Sequence, residues 1–278
     1  MSKQKFFEVT KLQLHSGMEN FASPSAFGVY KTSGGEALGV VGKDFTPTQP
    51  KFIFDQFADC MTIKKLDPAD IKFTEIKGGK KVMFSCPVKS FIMKNAAKKG
   101  DALSFEVVIS TGYDGRTPTS MFINVERLIC TNGAKALGTE FQIRFKNVKG
   151  NLGKASMLCK DIDTSIKGID KLQELYVKLS KRKITKKEHS DFIFKVTGIP
   201  MDQYANLTKR KQTILDKINE SVAIEMKDAG ATAWALMNGI THFTNHLASF
   251  DSKSDFIYAD SGLFLNNKAQ KFAIELLN

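Results

Sequence analysis

The alternation of apolar and polar residues changes period near residue 155 and thereby divides the chain into two halves. In the segment 101–133, apolar side chains occupy every second position of 103–109, which predicts a strand with one buried face. A turn signal of Gly and Asp at 112–115 separates this strand from a second apolar run at 121–129. We therefore predict an antiparallel hairpin at the centre of the first half.

Two further hairpins are predicted before this one. Strand-like runs at 26–30 and 37–41 flank a Thr-Ser-Gly-Gly turn signal. Runs at 71–76 and 81–87 flank the sequence Lys-Gly-Gly-Lys at 77–80, and two β-rich runs around Gly-Gly are typical of a tight hairpin. These hairpins make the first half mainly β.

The first half also contains one predicted helix and two short predicted strands. Apolar residues at helical spacing predict an amphipathic helix over 50–61, with Thr48 as its cap and Pro50 in its first turn. The short strands are expected at 89–94 and at 139–145, and apolar residues again alternate in the second of these.

A period near 3.6 residues predicts helices in the second half. Apolar residues recur at this period over 162–179, and Thr185 and Glu188 have the spacing of a capping box that opens a helix over 185–196. Further helices are predicted over 201–227, 231–247 and 267–277. The helix over 231–247 is rich in small residues, which suits close packing against a neighbour.

These patterns predict an α+β protein with an antiparallel β-sheet in the N-terminal half and helices packed on it from the C-terminal half. Residues 1–154 are expected to form a mainly antiparallel β region with one embedded helix. Residues 155–278 are expected to form a helical region that packs on the sheet as one domain.

The charge of the chain favours a polyanionic partner. The 278 residues carry a formal net charge of +12, and the isoelectric point is near 9.4. Nucleic acid, an acidic membrane surface and an acidic protein are the partners that such a charge attracts, while a merely solubilising surface is the alternative. Lysine greatly outnumbers arginine, which suits phosphate contact better than the reading of bases.

Other features of composition indicate the cellular setting. The N-terminus has no apolar signal core, and no stretch approaches the ~20 apolar residues that a membrane span needs. The four cysteines form neither a CxxC pair nor a His/Cys metal pattern. We therefore expect an intracellular, cytoplasmic protein with reduced thiols, no membrane partner and no cofactor.

Basic clusters are the candidate nucleic-acid-binding residues. They lie on two predicted turns, at the end of the central hairpin and on or between three predicted helices. The segment from Lys178 to Lys187 is the strongest of them because it can meet several phosphates. A solvated basic turn, an Asp-stabilised turn and a solvated helix face are the alternatives. The candidates are Lys77, Lys80, Lys81, Arg116, Arg127, Lys178, Lys181, Arg182, Lys183, Lys186, Lys187, Lys209, Arg210 and Lys211.

Aromatic and histidine residues supply the remaining candidates. Tyr113, Phe45, Phe91 and Tyr176 are the candidates for stacking on bases.

His242 and His246 are four residues apart on a predicted helix and have a metal-like spacing, with Asp251 and Asp255 downstream. We nevertheless predict structural histidines and no metal. Trp234, Asn238, Thr241 and His246 are expected to form a polar network that locks this helix onto the sheet. Nothing in the sequence requires an active site, and an enzyme that uses His242, His246 and a nearby Asp is kept only as an alternative.

Two segments together resemble a known family. The first is 110–133, with its Tyr-Asp-Gly turn at 113–115 and its Arg-Leu-Ile-Cys-Thr-Asn-Gly end at 127–133. The second is 232–246, followed by Ser-Gly at 261–262. The combination is similar to the phage/plasmid-like family classed as domain of unknown function 932, and the similarity covers about Leu38 to Leu277.

The resemblance implies a context of phages, plasmids and mobile elements, some of which encode recombination proteins. One feature departs from the family pattern, because members often carry an Arg-His pair after the Asn-Gly turn, whereas here Arg144 is followed by Phe145. The charge and the resemblance together predict a protein that binds or anneals single-stranded DNA in recombination or replication, with a homo-oligomer as one possible form. A structural or interaction protein of a phage, such as a virion component or an inhibitor of a host factor, is the alternative.

Overall fold

The structure is a computed structural model that describes residues 5–15, 22–93, 101–127, 132–135, 142–149, 158–248 and 261–278. The strands are β1 (Val9–His15), β2 (Ala22–Lys31), β3 (Ala37–Gly42), β4 (Lys72–Ile76), β5 (Lys81–Met93), β6 (Asp101–Gly112), β7 (Thr119–Arg127), β8 (Asn132–Lys135) and β9 (Gln142–Phe145). The helices are α1 (Pro50–Ile63), α2 (Leu158–Lys181), α3 (Lys186–Thr197), α4 (Lys209–Ala229), α5 (Ala233–His242) and α6 (Ser261–Glu275). The predicted α+β class is confirmed, with antiparallel strands in the N-terminal half and helices in the C-terminal half.

The strands form two sheets. The smaller sheet has the order β1-β2-β3 with antiparallel pairing throughout, and the pair Phe27 and Val41 fixes the register of the predicted β2–β3 hairpin. The larger sheet has the order β4-β5-β6-β7-β8, and β9 also pairs with β7. Strand β9 pairs with the first residues of β7 and β8 with the last, so that the two short strands pair with successive parts of β7.

The β4–β5 turn shows why the sequence Lys-Gly-Gly-Lys specifies a hairpin. Ile76 pairs with Lys81, and Lys77, Gly78 and Gly79 all have positive φ values, of 52°, 63° and 89°. Only glycine adopts such angles without a steric cost, and here two of the three positions are glycine.

The strand expected at 89–94 is not a separate strand. It is the end of β5, which continues through Pro87 to Met93. Pro87 lies beyond the residues of β5 that pair with β4, where a missing N–H is tolerated.

Of the two predicted N-terminal helix caps, one is present and one is not. Thr185 caps α3 and forms the full capping box with Glu188, and Gly198 ends this helix in the left-handed conformation, as expected. Thr48 does not cap α1, because the N-cap position is Gln49 and Pro50 opens the helix.

The predicted helix over 201–227 is two elements. Residues Met201–Asn206 form a 3₁₀ turn, and extended backbone at Leu207 and Thr208 separates it from α4. The helix predicted over 231–247 consists of α5 and a following π-helical turn, Phe243–Leu247. The last helix, α6, begins six residues earlier than predicted, at Ser261 instead of residue 267.

The chain divides into two compact units. Unit 1 comprises 1–88, 107–122 and 139–166, and unit 2 comprises 89–106, 123–138 and 167–278. The core of unit 1 contains a cluster of phenylalanines, in which the ring of Phe6 lies 5.0 Å from that of Phe54 and 5.1 Å from that of Phe73. The predicted boundary between 1–154 and 155–278 stays a prediction.

The core of unit 2 is built around α5. Every residue from Ala233 to Thr241 is buried, and α5 contacts α4, α6 and β8. A Cβ atom on Gly239 would lie 2.7 Å from the Cα of Val222 in α4, so only glycine permits this approach. The small residues of this helix thus permit the close packing that the sequence indicated.

Cysteine chemistry differs from the expectation. Cys60 on α1 is disulfide-bonded, whereas Cys86 on β5 is a buried free thiol. The expectation that the thiols are all reduced is therefore wrong for Cys60. Among the residues that the structure describes, no helix combines the length and the apolar character needed to cross a membrane.

Candidate nucleic-acid interface

The first predicted basic site is the β4–β5 turn in unit 1. Lys77 and Lys80 are exposed, and the backbone N–H of Tyr113 donates to the Lys80 carbonyl at 2.7 Å. This bond joins the turn to the end of β6, so that it adjoins the turn that carries Arg116. Burial lowers the pKa of Lys81, Asp114 partly offsets this effect, and Arg144 adds to it.

Carboxylates surround this basic turn. The side chain of Lys31 forms ion pairs with Glu36 at 3.3 Å and with Glu75 at 3.1 Å. The carboxylate of Glu36 also lies against Gly78 at the tip of the turn. A phosphate that approached this tip would therefore meet acidic as well as basic groups, which weakens the attraction.

Arg116 lies in a turn that Asp114 organises. The carboxylate of Asp114 accepts bonds from the backbone N–H of Arg116 at 2.9 Å, from the backbone N–H of Thr117 at 2.7 Å and from the Thr117 hydroxyl at 2.8 Å. Partial burial alone would raise the pKa of Asp114, but these donors outweigh it and lower that pKa. The Asp-stabilised turn is thus present, and the Arg116 side chain is exposed.

Two of the predicted stacking residues belong to the core instead. Tyr113 is 0% exposed and its hydroxyl donates to the Thr48 carbonyl at 2.8 Å. Tyr176 is 1% exposed, its hydroxyl accepts a bond from Gln270 at 3.1 Å, and its ring centre lies 5.0 Å from that of Trp234. Burial raises the pKa of both phenols. Neither ring has a free face for a base, so the prediction of stacking is corrected for both.

The other two stacking candidates are only partly accessible. Phe45 is half-buried and forms an isolated bridge with Val148, and its carbonyl accepts a bond from the Lys11 ammonium at 2.8 Å. Phe91 lies on β5 and is also half-buried. Stacking on either ring stays a prediction.

The second predicted basic site, which we call the basic segment, is residues 178–187 at the junction of α2 and α3 in unit 2. Its lysine side chains are exposed, and none of them forms an ion pair with a carboxylate in the described part of the chain. They are Lys178, Lys181, Lys183, Lys186 and Lys187.

Arg182 has a structural role within this segment. Its Nε donates to the Leu276 carbonyl at 2.8 Å, and its terminal nitrogens donate to the Lys183 carbonyl and to the Glu188 carboxylate. The bond to Leu276 holds the end of α6 against the basic segment. Since the guanidinium is occupied in this way, we remove Arg182 from the phosphate-binding candidates.

Glu188 is the carboxylate nearest to these lysines in sequence, and it is already engaged. It accepts from the backbone N–H of Thr185 at 2.7 Å and pairs with Arg182. The Thr185 backbone bond, followed by the Arg182 side chain, lowers the pKa of Glu188. The basic segment therefore keeps its lysine charges, whereas the β4–β5 turn is interleaved with acids.

The remaining predicted basic residues fall at two further places. Lys209, Arg210 and Lys211 are exposed in the first turn of α4, which contains no acidic residue. Arg127 ends β7, and its side chain lies outside the described part of the structure. For these residues, phosphate contact stays a prediction.

A group of aromatic and basic side chains on α3 and α6 was not predicted from the sequence. The Lys268 ammonium lies 4.7 Å from the ring centre of Phe264, and the ammonium groups of Lys195 and Lys271 lie 5.4 and 5.8 Å from that of Phe272. We call these five residues the aromatic face. The spacing of four residues between Phe264, Lys268 and Phe272 was visible in the sequence, but the predicted helix began at residue 267 and so excluded Phe264.

The histidine pair lies at the end of α5. The two ring centres are 4.8 Å apart, and Nδ1 of His242 is 3.1 Å from the Ser221 hydroxyl of α4. Within the described residues there is no group of three or more His, Cys, Asp or Glu side chains that could hold a metal. Asp251 and Asp255, the expected carboxylates, lie outside those residues.

Two hydrogen bonds of the expected polar network on α5 lie within the helix. The Asn238 amide donates to the Trp234 carbonyl at 2.8 Å, and the Thr241 hydroxyl donates to the Asn238 carbonyl at 2.9 Å. That this network locks the helix onto the sheet stays a prediction. His246 is exposed and does not share this buried position.

Comparisons with known proteins place the chain in a family. Searches of curated proteins and of solved structures find no match. A family model described as a domain of unknown function (DUF932) matches residues 37–268, well over half of the 278-residue chain. The matched range contains both segments on which the resemblance rested, 110–133 and 232–246, and so the chain belongs to the family of domain of unknown function 932.

Proposed function

We propose that this protein binds or anneals single-stranded DNA without sequence preference, in the recombination or replication of a phage or plasmid in the host cytoplasm. One observation carries the proposal: the basic segment presents exposed lysines that form no ion pair with any carboxylate in the described part of the chain. Such lysines attract a phosphate backbone and release its counterions on binding. A homo-oligomer would lengthen this binding surface.

The type of cation supports sequence-independent binding. Bidentate recognition of base edges favours arginine. Every exposed cation of the basic segment is a lysine, and its one arginine, Arg182, is bonded to Leu276 and Glu188. We therefore expect contacts with the backbone rather than with base edges. Exposed rings in unit 2, such as Phe264 at 60% exposure, favour single strands over duplexes, because only unpaired bases offer their faces for stacking.

The experiment is a salt titration of binding to a fluorescently labelled oligothymidine, followed by anisotropy. The logarithm of the binding constant should fall linearly with the logarithm of the salt concentration. The expected slope, which we call the salt slope, is about −0.7 for each phosphate contact on a single strand. Oligothymidine should compete for the protein much better than polyglutamate of equal charge. Absence of binding at low salt would contradict the proposal. Equal competition by polyglutamate would favour the alternative, an interaction protein with an acidic partner.

A further inference from the structure

The aromatic face of unit 2 exposes a large apolar ring that the core does not use. Phe264 on α6 is 60% exposed, which is unusual for a residue that can bury so much apolar area. The Lys268 ammonium lies 4.7 Å from the centre of this ring, one helical turn further along. A lysine ammonium at this distance from an exposed ring is attracted to the ring face by roughly 0.5–1 kcal/mol.

A second group of lysines around a ring lies further along α6, where the ring, that of Phe272, is half-buried. Phe272 follows Lys268 by four residues, and Lys195 of α3 and Lys271 of α6 both approach its ring. Residues three and four apart share one face of a helix, so Phe264, Lys268, Lys271 and Phe272 form a stripe. The opposite side of α6 is buried at Ala269, Gln270 and Ala273.

The charge of this stripe favours an anionic partner. Three lysines surround the two rings, and the one described carboxylate that pairs with them is Glu275, which lies 3.3 Å from the Lys195 ammonium. The basic segment adjoins the end of α6, because Arg182 donates a hydrogen bond to the carbonyl of Leu276, the residue that follows this helix. Phe264 and Leu276 are twelve residues apart, which corresponds to about 18 Å along the helix.

We infer that the aromatic face holds unpaired bases of a single DNA strand by stacking on Phe264 and Phe272, while its lysines and those of the basic segment contact the phosphates. This inference rests on the proposed function and adds to it the residues that distinguish a single strand from a generic polyanion. A ligand that is both aromatic and anionic satisfies the rings and the lysines together. An anionic membrane surface is the other class of partner, and it is an outcome of the test.

The test compares an oligothymidine with an oligonucleotide of equal length that contains only abasic sites. The native protein should bind oligothymidine more tightly. Phe264→Ala should lose about 5- to 150-fold in affinity for oligothymidine, as expected for one lost stacked base, with no change for the abasic strand and no change in salt slope. The matched control is Phe52→Ala, because Phe52 is also an exposed phenylalanine, 41% exposed on α1 in unit 1, and this change should have no effect.

A spectroscopic variant provides a second measurement. Trp234 is the only tryptophan and is buried, so Phe264→Trp introduces an exposed indole at the site. This variant should retain binding, and oligothymidine but not the abasic strand should quench the fluorescence of the new indole. Thermal melting confirms that each variant folds.

The outcomes separate the two proposals. If the native protein binds neither strand, the proposed function fails. If it binds both strands equally and Phe264→Ala changes nothing, the stacking inference fails while the proposed function stands. If Phe264→Ala instead weakens binding to vesicles of phosphatidylserine and leaves oligothymidine binding unchanged, the aromatic face is a membrane contact and the inference is overturned.

Discussion

The two basic regions of this protein are both rich in lysine but have different surroundings. The β4–β5 turn of unit 1 presents Lys77 and Lys80 among the carboxylates of Glu36, Glu75 and Asp114. The basic segment of unit 2 presents five exposed lysines, and its nearby Glu188 is held by Thr185 and Arg182. Lysine-rich sequence alone therefore does not identify a binding surface, because the acidic neighbours supplied by the fold decide the local field.

The largest expected effect comes from removing the lysines of the basic segment. We expect the salt slope to become shallower by up to about 3.5 when all five lysines are changed to Gln, since each lost phosphate contact contributes about 0.7. The five are Lys178, Lys181, Lys183, Lys186 and Lys187. Anisotropy with oligothymidine between low and moderate salt measures the slope.

A control for this variant changes the same number of charges in unit 1. Its substitutions replace five exposed lysines with Gln: Lys5, Lys43, Lys65, Lys77 and Lys80. We expect a much smaller change in slope, although the net charge of the two variants is equal. Equal losses from both variants would show that net charge, not the basic segment, controls binding.

Arg182 tests whether a basic residue of the same segment is structural. Arg182→Gln should destabilise the protein by about 1–3 kcal/mol, because the part-buried Leu276 carbonyl loses a charged donor. Denaturant unfolding measures this loss. The salt slope of the folded variant should match that of the native protein. A slope that is shallower by about 0.7 would show that Arg182 does contact a phosphate.

Asp114 gives a pH-dependent effect in unit 1. Its folded pKa lies below the ordinary value of about 3.9, so its contribution to stability is present above that value and is lost as the pH falls through the folded pKa. Asp114→Asn should therefore destabilise the protein by about 1 kcal/mol above pH 5, a modest value because the carboxylate is partly exposed. The difference from the native protein should shrink below about pH 4 in thermal melts, and a difference that grows there would contradict this assignment.

The smallest expected effect is a gain of binding. Glu36→Gln combined with Glu75→Gln removes the carboxylates that pair with Lys31 beside the β4–β5 turn. If acidic neighbours are what weakens this turn, the salt slope should steepen by about 0.7 to 1.4. An unchanged slope would mean that the turn does not meet the strand at all, whatever its charge.

Features that depend only on residues adjacent in the sequence were predictable. The Thr185–Glu188 capping box and the Lys-Gly-Gly-Lys turn formed as expected, because each needs only a few residues in a local conformation. The hairpin of β6 and β7 also followed from alternation and turn chemistry. These local signals were sufficient to predict the α+β class.

Features that depend on distant partners were not predictable. Tyr113 and Tyr176 are buried, and their partners are far away in the sequence: the Tyr113 hydroxyl donates to the Thr48 carbonyl, and the Tyr176 ring packs against Trp234. Arg182 is structural because Leu276, 94 residues away, accepts its hydrogen bond. The aromatic face was missed because Lys195 comes from a different helix than the rings it approaches, and because α6 begins before its predicted start.

Photochemical cross-linking of a bromodeoxyuridine oligonucleotide, with the attached peptides identified by mass spectrometry, tests the central claim most directly. The account predicts cross-links to unit 2, in peptides from the basic segment and from the residues 264–272 of α6. Cross-links confined to the turns at 77–81 and 113–117 of unit 1 would contradict it.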